Sequence, residues 1–360
     1  MSTLPAPGTG PDDSTALDHY PSFRLPSFPR FQPALRRSGV EGLETSCRAW
    51  LEDNLRPARD DEQAFEEFLD HRTTLWNLLA YATTDTERTK TICHWIDVLF
   101  SIDDLFVHAP DPHLERLGLH ELDSALGNSL HPGLGPYPRM LASLNEHLRA
   151  GMSPSLWQRF ARDMKGFFAA CRTERHWQRA GTAVELAAYE KSRIKSVGEC
   201  CFPLLEYGLH IDLTDHIART PEIGRLNHLV ARHWIGVNDI FSYRKELYSG
   251  DTINEITLAL ADNGGDLQAA VDRVATTVRQ TEDDFCALSS RLLAAPAGQD
   301  PALRRYVEAL RWMIAGNLEW SYITPRYNGR GHTWAGHTTA TTVLTPHRTL
   351  YRPEPANETP

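Results

Sequence analysis

Asn238-Asp239-Ile240-Phe241-Ser242-Tyr243-Arg244-Lys245-Glu246 places an amide, a hydroxyl and a carboxylate at successive steps of four. An α-helix turns about 100° per residue, so each step of four shifts direction by only about 40°. Asn238, Ser242 and Glu246 therefore share one face. Three oxygen donors on one stripe suit a hard cation such as Mg2+. Just upstream, Leu226, Leu229, Val230, Trp234 and Val237 are apolar at helical spacing, so the stripe continues a core-facing helix. Polar groups that face a core are costly without a partner, and these need one.

The same periodicity extends outward over most of the 360 residues. It predicts helices over 41–54, 61–82, 86–107, 139–150, 154–178, 181–210, 222–248, 252–262, 266–294 and 301–322. Breakers separate them: Pro110 and Pro112, Gly133 to Pro138, Gly250-Asp251, and Ala295 to Pro301. Ser153-Pro154 supplies an N-cap followed by a first-turn proline. No run of alternating strands and no short repeat is visible. The expectation is an all-α fold with one helical domain over 38–327. Residues 1–37 form a Pro-rich arm in which Phe23, Phe28 and Phe31 alternate with prolines, an extended segment that lays aromatics on the body. Residues 328–360 are expected to be loop, ordered near 328–337 and frayed after about 345.

The formal net charge is -10, and no basic patch of the kind a nucleic-acid binder carries is visible. No apolar run approaches the ~20 residues a membrane span needs. The N-terminus lacks the basic-then-apolar order of a signal peptide. Six cysteines at 47, 93, 171, 200, 201 and 286 form no CxxC pair and no zinc spacing with histidine. Scattered reduced thiols in a cytoplasmic protein are the simpler reading.

Three further stretches carry candidate chemistry. Trp95 to Phe106 is an apolar helix that ends in Asp103-Asp104. Acidic pairs also occur at 12–13, 60–61 and 283–284, where a solvated helix end or a charged run explains them. The pair at 103–104 differs because apolar and aromatic residues flank it on both sides. Tyr189 to Gly198 holds Lys191, Arg193 and Lys195 ahead of a break marked by Gly198 and Cys200-Cys201-Phe202-Pro203. By itself this stretch could be a solvated cationic stripe. Gly316 to Tyr327 ends in Arg326-Tyr327, and Arg is the side chain best suited to grip phosphate oxygens.

Together these sites resemble a class I terpene synthase of the microbial type. The 238–246 stretch matches the (N/D)DxxSxxxE metal motif, with Lys245 just before the Glu. Asp103 and Asp104 match the start of the Asp-rich motif. Arg193 lies 45 residues before Asn238 (238 − 193), where the family has its diphosphate-sensing arginine. Asn317-Leu-Glu-Trp-Ser321 with Arg326-Tyr327 resembles the family's C-terminal helix and terminal pair. The resemblance covers about 76–327. One departure is plain: the family completes DDxxD or DDxxxE with an acid, and here those positions are Val107 and His108, with Asp111 outside both spacings.

The resemblance implies an antiparallel helical bundle around an apolar cavity, three Mg2+ ions and an isoprenoid diphosphate substrate. Asp103, Asn238, Ser242 and Glu246 would hold metal. Arg193, Lys245, Arg326 and Tyr327 would hold diphosphate, with Asp104 paired to Arg326 instead of binding metal directly. Ser196 and Val197 occupy the linker and effector positions beside the helix break. Phe100 and Trp320 would shield the allylic cation, with Trp76, Tyr81, Trp95 and Trp234 as further candidates. Farnesyl diphosphate and a sesquiterpene product follow the commonest family habit, and geranyl or geranylgeranyl diphosphate remain alternatives. A monomer or homodimer is expected. A chain-elongating prenyltransferase should carry a second DDxxD where this chain has Asn, Ser and Glu. A non-catalytic isoprenoid-diphosphate-binding protein is the rival from another class, and the incomplete Asp-rich motif is its support.

Overall fold

The computed structural model describes residues 17–31, 40–59, 61–81, 83–127, 133–181, 184–262 and 264–352. Numbered in chain order, the α-helices are α1 (Val40–Asn54), α2 (Glu62–Asp70), α3 (Thr73–Ala80), α4 (Thr86–His108), α5 (Asp111–Leu117), α6 (Pro136–Gly151), α7 (Pro154–Ala180) and α8 (Leu186–Val197). There follow α9 (Cys201–Gly208), α10 (Thr214–Arg219), α11 (Pro221–Ser249), α12 (Glu255–Asp262), α13 (Leu267–Ala294), α14 (Pro301–Ile323) and α15 (Pro325–Asn328). Short 3-10 turns cover Pro29–Phe31, Arg56–Ala58, Leu119–Leu126 and Pro296–Gln299.

Three of the long helices start where a side-chain cap dictates. Asp85, Ser153 and Asp266 each accept a backbone N–H of the first turn through the side chain, which satisfies a donor the helix cannot. Helix α11 packs on α13 and α14, α14 packs on α3, and α7 packs on α8. Two glycines permit the close contacts that shape the cavity. A Cβ on Gly316 would lie 2.4 Å from the Leu79 carbonyl carbon, so its absence lets α14 press on the end of α3. A Cβ on Gly198 would lie 2.9 Å from Ala231 Cβ, so the break between α8 and α9 sits directly on α11.

The bundle is the expected all-α one, but the short helices α5, α10 and α15 were not expected, and other segments differ. The segment expected as one helix over 61–82 breaks at His71-Arg72, where Arg72 adopts a left-handed φ of 53°. The Trp320 indole of α14 donates to the Arg72 carbonyl at 2.8 Å and the Thr324 hydroxyl to the His71 carbonyl at 2.7 Å, which ties the break to the end of α14. The segment over 181–210 divides into α8 and α9 at the Gly198 break. The tail, expected as loop that frays after about 345, instead contributes two strands, β2 (Thr341–Leu344) and β3 (Thr349–Arg352). They form a three-stranded antiparallel sheet in the order β1-β2-β3, with β1 (Ser22–Arg24) drawn from the arm. Ser22 pairs with Val343 and Val343 with Leu350. Phe23, Phe28 and Phe31 of the arm are buried against the core. The remainder of the arm and tail expectations, at 1–16, 32–37 and 353–360, falls outside the described residues, as does the acidic pair at 12–13.

Candidate active site

A cavity opens between α4, α7, α8, α11 and α14. Its wall has two chemical halves. Ile96, Leu99, Phe100, Phe167, Trp234 and Trp320 make the apolar half, and the polar half gathers residues of all four motifs. The aromatic rings brace one another: Trp76 stands edge-on to Trp234 at 5.3 Å and to Phe100 at 6.0 Å, and Phe100 lies 5.7 Å from Trp320. Of the other aromatics singled out from the sequence, Trp76 and Trp234 line the cavity. Trp95 instead donates to Asn145 and packs on Phe160, and Tyr81 reaches the Cys201 carbonyl.

Helix α11 delivers Asn238, Ser242 and Glu246 to the cavity on one face. Asn238 is the hub: its Oδ1 accepts from Arg193 at 3.0 Å and its Nδ2 donates to the Tyr327 hydroxyl at 2.5 Å. Ser242 Oγ is buried beside Glu246 and makes no hydrogen bond of normal geometry. Glu246 accepts from Asn254 at 2.7 Å, and burial raises its carboxyl above the usual range. Behind the triad, Asp239 points away from the cavity. It takes the Tyr189 hydroxyl and the Glu255 N–H, the latter at 2.9 Å, and burial pushes its carboxyl up to about 7.

Helix α4 delivers the two aspartates, and they differ. Asp104 accepts a bidentate grip from Arg326 at 2.7 and 2.8 Å, with Lys245 Nζ at 3.5 Å. Burial alone would raise the Asp104 carboxyl, but Arg326 and Lys245 outweigh it and hold it well below the usual range. Asp103 has only a long contact of 3.8 Å to Arg326. Burial and the neighbouring Asp104 raise its carboxyl, as expected for an acid that lacks its own counter-charge. The Arg326 guanidinium also sits 5.5 Å over the Phe100 ring, where the polar and apolar halves meet.

Helix α8 ends at Val197, which lines the cavity. Arg193, one turn earlier, lies between Asn238 and Glu174 of α7, the latter at 3.4 Å. Glu174 was not apparent from the sequence. It also accepts from Ser192 at 2.9 Å and from Ser196 at 2.7 Å, so one buried carboxylate fixes three side chains around the α8 terminus. Its lone position in an Arg-rich run carries no spacing signal. His71, at the α2–α3 break, is a second residue the sequence did not reveal. Its Nδ1 lies 3.4 Å from Arg326, and burial, helped by Arg326, drops its pKa to about 3, so it stays neutral and can accept from the guanidinium.

The departure in the Asp-rich motif has a definite geometry. Val107 lines the cavity where an acid would stand, and His108 is exposed. Asp111 does not substitute. Its two oxygens are held at 2.7 Å by Arg179 and Arg175, which drop its carboxyl to about 2. Arg175, which also lines the cavity, donates to the Phe106 and Ala109 carbonyls at the end of α4.

Among the described residues no three His, Cys, Asp or Glu side chains cluster as a metal cage. The donors are instead an amide, a hydroxyl and a carboxylate on α11, facing Asp103 across the cavity. An all-oxygen set with few carboxylates is the kind that holds Mg2+ while leaving positions for phosphate oxygens. The buried Ser242 hydroxyl, which makes no hydrogen bond of normal geometry, adds an oxygen donor to that face. The residues present therefore fit a hard divalent cation.

The family model described as terpene synthase family 2, C-terminal metal binding, matches residues 94–284, more than half of the chain. The chain is 25% identical over 340 residues to (3S,6E)-nerolidol synthase of Selaginella moellendorffii, covering 89% of this chain and 91% of that one. It is 27% identical over 299 residues to sesquiterpene synthase 6 of Postia placenta, covering 79% and 84%. Among solved structures, hedycaryol synthase in complex with HEPES superposes with a TM-score of 0.71 at 23% identity, over 83% of this chain and 98% of that one. No described helix is long and apolar enough to cross a membrane. The match takes in Asp103-Asp104 and the 238–246 stretch, and by it the chain belongs to terpene synthase family 2, the class I lyases that act on isoprenoid diphosphates.

Proposed function

We propose that the protein catalyses Mg2+-dependent ionisation and cyclisation of farnesyl diphosphate to a sesquiterpene, with release of diphosphate. The observation that carries this reading is the convergence of Asn238, Arg193 and Tyr327 in one hydrogen-bonded cluster at the mouth of an aromatic cavity. The chain length of the substrate rests on relatives named as sesquiterpene synthases.

Three Mg2+ ions, held by Asp103, Asn238, Ser242 and Glu246, would supply positive charge against the departing diphosphate. The protein's own cations do the rest of that work. Arg193, Lys245, Arg326 and the Tyr327 hydroxyl offer donors to diphosphate oxygens as negative charge builds on them. Asp104 orients Arg326 through both carboxylate oxygens, so the guanidinium meets the substrate already aligned. The cation left behind lies among Phe100, Trp320, Trp76 and Trp234, whose ring faces stabilise positive charge without forming a bond to it. Val197 places the C-terminal end of α8 at the cavity wall, and a helix C-terminus carries partial negative charge. The same walls exclude water, which would otherwise quench the cation. All six cysteines are free thiols, which suits a reducing cytoplasmic setting.

Diphosphate release from farnesyl diphosphate tests the reading. Turnover should require Mg2+, vanish with a chelator and return on re-addition. Glu246→Gln and Asn238→Ala should each lower it by about 100-fold or more, roughly 2.7 kcal/mol of barrier. Near-normal turnover in either variant would remove the triad from the mechanism. The rival reading, a binding protein without turnover, draws on Val107 and Arg175 at the Asp-rich side, and it is distinguished by tight diphosphate binding with no release.

A further inference from the structure

Glu246 has no cationic partner within ion-pair distance among the described residues. Its carboxylate is fixed by one side chain outside the triad. Asn254, fully buried, donates from Nδ2 to Glu246 Oε2 at 2.7 Å and to the Asp239 carbonyl at 2.9 Å. Its Oδ1 accepts from the Ile256 N–H at 2.8 Å. These partners settle the amide's orientation. Turned over, Asn254 would set N–H against N–H at Ile256 and oxygen against oxygen at Asp239 and Glu246.

The segment that carries Asn254 is itself pinned. Gln178 of α7 donates to the Gly250 carbonyl at 2.8 Å and accepts from the Thr252 N–H at 3.0 Å. Beside Asn254, Glu255 donates its backbone N–H to Asp239. Asn254, the last residue of this short connection, and Glu255, the first of α12, thus reach back onto α11, one to its ligand face and one to the acid behind it. Ser242, one turn back on α11, is the other side chain beside the Glu246 carboxylate.

We propose that Asn254 is a positioning residue for metal binding. It ties back one oxygen of Glu246 and leaves the other, with Ser242 Oγ, for the cation. A neutral amide suits this task. A Lys or Arg at the same place would compete with the metal for the carboxylate, and an Asp would repel it. Groups that orient a metal ligand in this way commonly contribute 10–100-fold to metal affinity. The inference rests on the reading of Asn238, Ser242 and Glu246 as metal ligands.

Electron paramagnetic resonance of Mn2+ bound to the full chain, with inorganic diphosphate present, tests it. Wild type, Asn254→Asp, Asn254→Ala and Glu246→Gln are compared. Both Asn254 variants should need about tenfold more Mn2+ for half-saturation. In assays with Mg2+, the metal concentration for half-maximal rate should rise by a similar factor, while kcat at saturating metal recovers to within about threefold of wild type. Asn254→Ala carries the test if Asn254→Asp does not fold. Unchanged Mn2+ affinity in the Asn254 variants, with Glu246→Gln weakened, would overturn the proposal. So would a loss of binding that only tracks the fraction of unfolded protein. Unchanged Mn2+ affinity in Glu246→Gln would instead overturn the reading of the triad itself.

Discussion

Asp103 and Asp104 are adjacent in sequence, yet one is held by two cations and the other by none at short range. The difference arises from which face of α4 each occupies. Asp104 meets Arg326 and Lys245, and Asp103 is left toward the cavity with a raised pKa. Asp104→Asn keeps the shape but leaves the buried Arg326 without a full carboxylate partner. Steady-state kinetics with farnesyl diphosphate should show kcat/KM falling about tenfold, a cost of about 1.4 kcal/mol. Wild-type kinetics in this variant would mean that Arg326 needs no such alignment. At this scale the sequence was legible where a motif fixed the spacing. The Asn238, Ser242 and Glu246 face followed from helical geometry alone. Glu174, His71 and Asn254 were not legible. Each acts through a partner distant along the chain or across a turn, and no local pattern marks such a contact.

Helices α3 and α4 are joined by a buried acid with no counter-charge. Asp97 accepts from the Thr74 hydroxyl at 2.6 Å and from Asn77 at 3.4 Å, and burial pushes its carboxyl up to about 7. A carboxyl with a folded-state pKa above its unfolded value binds more protons in the native state. Stability should therefore fall as pH rises from about 4 to about 7 and level off beyond, with a ceiling of order 4 kcal/mol. Asp97→Asn should flatten that slope and raise the melting temperature at pH 8 relative to wild type. An unchanged pH profile of melting would show that Asp97 titrates normally. At the end of α4, Val107 and His108 make a paired test of the incomplete motif. Val107 faces the cavity and His108 does not. Val107→Asp should lower the Mg2+ concentration for half-maximal rate, while His108→Glu should leave it within about twofold. An equal effect of both would argue for a general charge effect at the mouth. The long helices were legible because their apolar periodicity is sustained over many turns. The break at His71-Arg72 was not, because the groups its carbonyls bind, Thr324 and Trp320, lie far along the chain.

Described parts of the arm and the tail meet in one sheet. Strand β1 of the arm pairs with β2 of the tail, and the tail is tied to α11 and the Arg326-Tyr327 segment. Arg244 donates to the Tyr327 carbonyl at 2.9 Å and to the Pro346 carbonyl at 3.1 Å, Tyr248 donates to the Leu344 carbonyl at 2.7 Å, and Tyr351 donates to Asn328. Removing residues after His337 should lower the melting temperature by several degrees and reduce turnover, because the Arg326-Tyr327 segment loses its outer support. Full activity in the truncated chain would make the tail dispensable. The sheet was hidden in the sequence because its strands are three or four residues long and their pairing partners lie at opposite termini. The bundle itself depends on no such remote pairing. Its function is tested most directly by incubating purified protein with Mg2+ and, separately, geranyl, farnesyl and geranylgeranyl diphosphate, then analysing extracts by gas chromatography–mass spectrometry. A sesquiterpene from farnesyl diphosphate, absent in Glu246→Gln, is expected; no terpene from any of the three substrates would rule out a terpene cyclase.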